Sequence, residues 1–199
     1  MELAARTLEN AWVALEPLSD AHREGLRRAC DADPDTWARL YPFSMAGEHF
    51  DGGWAKLQDD VAQGRKLMFA VMTGGACVGM TGYIDPDAGN RTVEIGATYY
   101  RPDQRGGPVN PAAKRLLLGE AFDAGARRVA FKVDAINARS RAAVLKLGAV
   151  QEGVLRQDRV VWTDRVRDTV VFSILAAEWP AVRERLDARL AAHLRHPPA

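Results

Sequence analysis

Apolar residues recur along this chain in two rhythms, every third or fourth position and every second, and the order in which the rhythms alternate predicts its elements. Ala11 to Leu18 reads as a short strand ended by Pro17, and Ser19 or Asp20 can then cap a helix to about Asp31 that turns Leu26 and Ala29 inward. Asp33-Pro34 restarts a short helix through Trp37 and Leu40, and Tyr41-Pro42-Phe43-Ser44 breaks it. Phe50, Trp54, Leu57 and Val61 follow at i, i+4, i+7 and i+11, one side of a third helix, so the rings of Phe50 and Trp54 are expected in the core. Alternation returns in Leu67 to Thr73 and Cys77 to Ile84, joined by the hairpin signal Gly74-Gly75. Turn residues from Asp85 to Asn90 lead to a further strand at Thr92.

The stretch from Val93 to Ala149 organises the rest. The strand V-E-I-G-A-T-Y-Y runs into the turn R-P-D-Q-R-G-G-P-V-N-P, then a Leu- and Ala-rich helix to Ala124-Gly125, then the strand R-V-A-F-K-V-D. This is one β-α-β unit, which places two strands parallel through a right-handed crossover and puts ligands beyond their carboxyl ends. Alternation sets Glu94, Gly96, Thr98 and Tyr100 on one face, opposite Val93, Ile95 and Ala97. A second helix starts at Asn137, carries Ala142, Val144, Leu145 and Leu147, and stops at Gly148. Strands from Ala149 to Arg156 and Val166 to Ile174 flank the turn Thr163-Asp164-Arg165, and Glu178 to Leu194 closes as an amphipathic helix. The expected class is α/β (α+β): a mixed, mostly antiparallel sheet with one parallel pair, flanked by helices. Residues 1–199 read as one domain with a core from about 8 to 190 and a disordered tail from 195 to 199.

Composition narrows the function. A chain of 199 residues with 47% hydrophobic content can bury one sizeable core. A net charge of +1 gives no general footprint for nucleic acid or an anionic membrane, and neither partner is expected. Cys30 and Cys77 form no C-x-x-C pair, and four scattered histidines add no ligand spacing, so no metal is expected. Met1 to Asn10 lacks a basic start followed by an apolar run, and a cytoplasmic setting follows as the expectation.

The glycine turn carries the first chemistry. Gly106 and Gly107 allow successive amides to point into one concavity, and Asn110-Pro111 reads as a cap with proline at the first helical position. A helix N-terminus with free N–H groups attracts an anion such as phosphate. The turn has neither the Gly-Lys-Ser/Thr of a P-loop nor the G-x-G-x-x-G of a dinucleotide site.

Taken in order, E-I-G, R-G-G-P-V-N-P-A-A-K, N-A-R-S and L-K-L-G-A-V-Q-E-G-V-L-R resemble the GCN5-related N-acetyltransferase (GNAT) superfamily, in particular its RimJ/RimL branch; the later W-T-D-R-V-R-D-T-V-V-F-S-I-L-A-A-E-W also suits that branch. The resemblance spans about Leu8 to Leu190 and implies the GNAT acyl-CoA N-acyltransferase fold, acetyl-CoA as co-substrate, and direct attack of an amine on the thioester. It implies that amides of Arg105, Gly106, Gly107, Val109 and Asn110 hold the pyrophosphate, and that the backbone of Ile95, Gly96, Ala97 and Thr98 holds the pantetheine arm, with Asn137 beside it. It makes Glu94 the candidate general base, directly or through water, with a structural pairing to an arginine as the alternative, and Ser140 the candidate acid that protonates the thiolate, with Tyr99 and Tyr100 as other hydroxyl donors. It places Trp37, Tyr41 and Phe43 at the acceptor and allows a homodimer through the last strands or the terminal helix. Arg101, Arg105 and Lys114 can add charge beside the cofactor, while each taken alone reads as a solvated surface residue, and Asp134, Glu152 and Asp168 read as structural. Two departures stand out: Pro108 replaces the last glycine of the usual pattern, and Ala112 stands where many relatives carry glutamate. Pro108 also motivates a catalytically silent acyl-CoA-binding or regulatory protein, and a nucleotide-binding α/β protein is a third, remote class.

Overall fold

The computed structural model describes residues 1–195. The expected disordered tail lies outside the described residues from position 196 onward, and Arg195 ends the last helix. In chain order the elements are β1 (Leu8–Glu9), β2 (Ala14–Pro17), α1 (Arg23–Asp31), α2 (Pro34–Leu40), α3 (Phe50–Ala62), β3 (Lys66–Thr73), β4 (Ala76–Asp87), β5 (Thr92–Tyr100), α4 (Val109–Asp123), β6 (Arg128–Asp134), α5 (Ala138–Leu147), β7 (Val150–Val160), β8 (Val166–Leu175) and α6 (Trp179–Arg195). The strands form one sheet in the order β1-β2-β3-β4-β5-β6-β8-β7. Among the described residues only β5 and β6 run parallel, as the β-α-β pattern predicts.

Local chemistry explains the boundaries. Asp33 caps α2, accepting from the Thr36 amide at 3.1 Å with Pro34 in the first turn. Asn137 caps α5 through the Ser140 amide at 3.0 Å, and Gly148, at φ +98°, ends it. The first strand is shorter than its alternation suggests. Asn10 folds the chain back by accepting from the amides of Trp12 (2.9 Å) and Val13 (3.2 Å), which leaves Leu8 and Glu9 to pair beside β2. β4 also continues through Asp85-Pro86, and Asp87 makes the reversal by accepting from the Asn90 amide at 2.7 Å.

The start of α4 is a correction. The helix begins at Val109 with Pro108 as its N-cap, so Asn110 lies inside the first turn rather than capping it. Pro108 has φ −74° and ψ −19°, and its ring fixes a φ that is already helical, so winding begins there.

Each face of the sheet has its own core. On one, Tyr83, Val93, Ile95, Val129, Phe131 and Phe172 pack with Leu117 and Leu118 of α4 and Trp179 and Leu186 of α6. On the other, Met68, Met80 and Tyr99 pack with Leu26 of α1, Trp37 of α2 and Phe50, Trp54 and Leu57 of α3. Burial stabilises each such side chain by about 1.5–3 kcal/mol, enough to set which way every strand faces. Among the described residues no helix is long and apolar enough to cross a membrane.

Candidate active site

β5 and β6 pair over only three positions, Thr92 with Arg128, Val93 with Val129 and Glu94 with Ala130. Beyond Glu94, β5 stays with β4 as far as Tyr100 while β6 stays with β8 as far as Asp134. A wedge therefore opens at the carboxyl ends of the parallel pair, where backbone groups of both strands are left to serve a ligand.

A bulge shapes one wall of the wedge. Gly82 faces Gly96 and Met80 faces Tyr99, so the single residue Thr81 opposes both Ala97 and Thr98. Ala97 takes the extra position at φ +47°, a conformation that costs an alanine about 1–2 kcal/mol. The expected alternation fails here. Val93 and Ile95 face α4, but after the inserted residue Thr98 and Tyr100 take over that face and Tyr99 turns to the opposite core.

What holds the strained turn is Lys114, which proves buried rather than solvated, at 5% exposure. Its Nζ donates to Thr98 Oγ1 at 2.7 Å and to Thr81 Oγ1 at 3.0 Å, and Thr98 Oγ1 donates to Gly96 O at 3.3 Å. From the other side Tyr41 Oη donates to Thr98 O at 2.5 Å. No carboxylate among the described residues pairs with Lys114, and burial alone brings it down to about 7.

Beyond β5 lies the anion concavity. Gly106 sits at φ +82°, and a Cβ added at Gly106 or Gly107 would meet only open space. The amides of Gly106, Gly107, Val109 and Asn110 donate to no acceptor among the described residues, and the first bond of α4 runs from the Ala112 amide to Pro108 O at 2.9 Å. Pro108 and Pro111 supply no N–H, which leaves these four amides as the available donors. Arg105 differs from them. Its amide donates to Pro102 O at 3.2 Å, its Nε to Tyr100 O at 2.8 Å and its Nη1 to Asp33 Oδ2 at 2.5 Å, so it ties the loop to β5 and α2.

On the sheet face opposite α4, Glu94 meets Lys132 of β6 at 3.0 Å. Burial raises the Glu94 carboxyl above its ordinary value, although Lys132 pulls the other way. Register continues this polar floor through Lys132 and Asp134 of β6 to Val171, Thr169 and Arg167 of β8, and Arg159 of β7 faces Arg167 directly. Asp134 is ion-paired to Arg165 at 2.5 Å, and Asp158 to Arg159 at 2.9 Å. The β7–β8 hairpin roofs one side of the floor: Trp162 donates from its amide to Pro42 O and from Nε1 to Trp37 O, both at 3.3 Å, and Arg165 Nη2 donates to Arg39 O at 3.2 Å.

Comparisons with known proteins identify the family. Residues 13–150 match the family model described as an acetyltransferase (GNAT) domain. The chain belongs to the GNAT acetyltransferase family. Among solved GNAT-like structures, a T. thermophilus protein assigned as an acetyltransferase is 36% identical over 96% of this chain and 100% of its own, with a TM-score of 0.86. A GCN5-related N-acetyltransferase from Brucella melitensis is 29% identical over 94% of this chain and 86% of its own, with a TM-score of 0.85. Mycobacterium smegmatis RimJ in complex with CoA-disulfide shares the fold at 24% identity, with a TM-score of 0.77 over 89% of this chain and 88% of its own. No curated protein matches the chain.

Within this GNAT fold the sequence-derived residues take separate places. Ile95, Gly96, Ala97 and Thr98 form the wall of the wedge, and Gly106, Gly107, Val109 and Asn110 form the concavity. Asn137 and Ser140 open α5 just after β6; the Asn137 carbonyl oxygen is engaged as cap, whereas the half-buried Ser140 hydroxyl donates to no acceptor among the described residues. Tyr41 and Phe43 are half-buried beside the hairpin, but Trp37 has no exposed surface and is stacked on Tyr99 at 4.6 Å, where it presents nothing to a ligand. Tyr99 Oη donates to Ala29 O at 2.9 Å, and Tyr100 Oη is sealed inside. Asp168 Oδ1 accepts from the Gln157 amide at 2.7 Å, and Arg128, followed by Ser173, holds the Glu152 carboxyl at about 2. The motif reading passes over Lys132 and Arg167 and leaves Lys114 on the surface. Lys114 stands at i to Leu117, Leu118 and Ala121, the buried stripe of α4, and that spacing is the signal that marks it as internal.

Proposed function

We propose that the protein transfers the acetyl group of acetyl-CoA to a primary amine, by direct attack in a ternary complex. The observation that carries this reading is the row of four unpartnered amides from Gly106 to Asn110, opening beside a wedge whose floor holds Glu94. Phosphate oxygens are the anions such a row accepts, and the two prolines leave enough donors for a pyrophosphate. Pantetheine is an extended amide chain, and the unpaired edges of β5 and β6 offer it strand-like hydrogen bonds.

Each side chain then has a task. Glu94, with its raised carboxyl, takes the proton from the acceptor ammonium, directly or through water, so that the neutral amine can attack the thioester carbon. The amides of the wall favour the negative charge that develops on the carbonyl oxygen. As the carbon–sulfur bond breaks, the Ser140 hydroxyl passes its proton to the departing thiolate and receives in exchange the proton shed by the nitrogen that has attacked, so that amide and free thiol are released together. The hairpin and α2 frame the opposite entrance, through which the acceptor approaches. The RimJ/RimL resemblance tilts the choice towards an α-amine on a peptide, protein or small molecule.

Calorimetric titration with acetyl-CoA, with ATP and NAD as controls, tests the donor. Selective binding that Gly107→Trp removes is the expected result, and the absence of binding by the wild type sinks the reading. A second reading, a silent acyl-CoA-binding protein, draws on the Lys132 ammonium that neutralises Glu94 at 3.0 Å. It prevails if acetyl-CoA binds but no amine acceptor releases thiol.

A further inference from the structure

On the floor of the wedge, cations outnumber the carboxylates that can pair with them. Lys132 takes Glu94 at 3.0 Å, Arg165 takes Asp134 at 2.5 Å and Arg159 takes Asp158 at 2.9 Å. Arg167 has no such partner among the described residues. Its closest carboxylate oxygen, on Asp134, is 3.9 Å away and already engaged, and its Nε donates to the Thr169 hydroxyl at 2.9 Å. The two Nη groups donate to no acceptor among the described residues, yet they are not among the sealed, unpartnered atoms of the interior. Arg167 is nevertheless buried, at 6% exposure.

Its surroundings make an unmet charge costly. Arg159 stands directly opposite Arg167 across the β7–β8 ladder, and like charges in facing positions repel. A structural arginine in such a place ordinarily meets a carboxylate in a two-pronged contact, and here Asp158 accepts instead from Thr169 at 2.8 Å and from Arg159. The planar guanidinium is thus left with its fork open, on the same face as Glu94 and close enough to feel the Glu94 charge. An incoming anion would complete the fork and relieve the Arg159–Arg167 repulsion together.

We propose that Arg167 anchors an anionic group of the acceptor, so that the substrates are short zwitterions with the amine at the Glu94 end and a carboxylate or phosphoryl group at the Arg167 end. This rests on the acetyl-transfer reading of the same site. A neutral or polycationic amine would leave Arg167 unmatched and would add to the local positive charge.

The test uses the intact protein with acetyl-CoA and matched acceptors: glycine, diglycine and triglycine against their amides, and aminoalkyl phosphates against the parent amino alcohols. Thiol release gives kcat and KM. The wild type should favour the anionic member of at least one pair by about 10- to 100-fold in kcat/KM, the worth of one charge-assisted contact. Arg167→Met should abolish that preference through KM while calorimetry still finds wild-type affinity for acetyl-CoA. Arg167→Lys keeps the charge without the fork and should raise KM for the same acceptors several-fold, which decides the matter if the methionine variant does not fold. Preference for the peptides over the phosphates, or the reverse, identifies the anion. Equal use of charged and neutral members, a preference that survives Arg167→Met or an unchanged KM in Arg167→Lys overturns the anchor. Thiol release from no acceptor, with acetyl-CoA still bound, also overturns it; failure to bind acetyl-CoA removes the transferase reading beneath it.

Discussion

Lys114 reaches from α4 to the hydroxyl of Thr98 at 2.7 Å, so one lysine side chain holds a strained bulge of the strand that walls the site. Its ammonium is satisfied by two hydroxyls and by no carboxylate among the described residues. The folded state therefore favours the uncharged amine, with the group at about 7 against 10.5 in its ordinary setting. Below that lower value both the folded and the unfolded chain are protonated, and the cost of burying the charge is constant. Above it the unfolded chain still holds the proton, so this contribution makes the protein more stable as pH rises towards 10.5. The full span is worth on the order of 5 kcal/mol. Urea denaturation at about pH 6 and about pH 9 should show the rise in wild type and lose it in Lys114→Met.

Glu94 gives a kinetic counterpart. Only its ionised form accepts a proton, so the rate should climb with pH through a value above the ordinary 4.5 of a glutamate. Glu94→Gln should lower kcat by about 10²- to 10⁴-fold and remove that acid limb. Removing the Lys132 ammonium takes away the main opposition to burial, and Lys132→Met should move the limb to higher pH. A limb that stays in place in both variants would show that another group is the base.

The two glycines of the concavity should separate stability from binding. Gly106 needs its positive φ, so Gly106→Val should cost about 1–2 kcal/mol of stability as well as acetyl-CoA affinity. Gly107 has an ordinary φ and open space around it, so Gly107→Trp should keep stability within about 0.5 kcal/mol while affinity falls tenfold or more. Thermal melts beside calorimetry distinguish the two effects.

Trp162 fastens the hairpin to Trp37 O of α2 and to Pro42 O just beyond it, while its own side chain stays partly exposed. Trp162→Ala should cost about 1 kcal/mol of stability and raise the acceptor KM, with acetyl-CoA affinity intact. An unchanged KM would mean that the hairpin does not frame the acceptor entrance.

The element order was readable because each segment keeps one period long enough to count: Phe50, Trp54 and Leu57 went inward together, and the β-α-β pattern marked the single parallel pair. The bulge at Ala97 was not readable. One inserted residue reverses which face every later side chain takes, and alanine carries none of the glycine signal that usually announces a positive φ. Lys114 looks like a surface charge by residue type, although its neighbours four and seven places on mark the inner stripe. The Arg167 fork and the Trp162 fastening depend on contacts between segments far apart in the chain. No local pattern encodes those. Pro108 removes one donor from the turn, and its helical φ also starts α4 there, which puts Val109 and Asn110 in the first turn.

The four amides of the concavity belong to the main chain, whereas the floor of the wedge is built from the side chains of Glu94, Lys132 and Arg167. Mutation rewrites side chains and leaves peptide groups where they are. Under the proposed reaction, a few codon changes in β5, β6 and β8 would therefore alter the choice of amine and leave the contacts to the acyl donor in place.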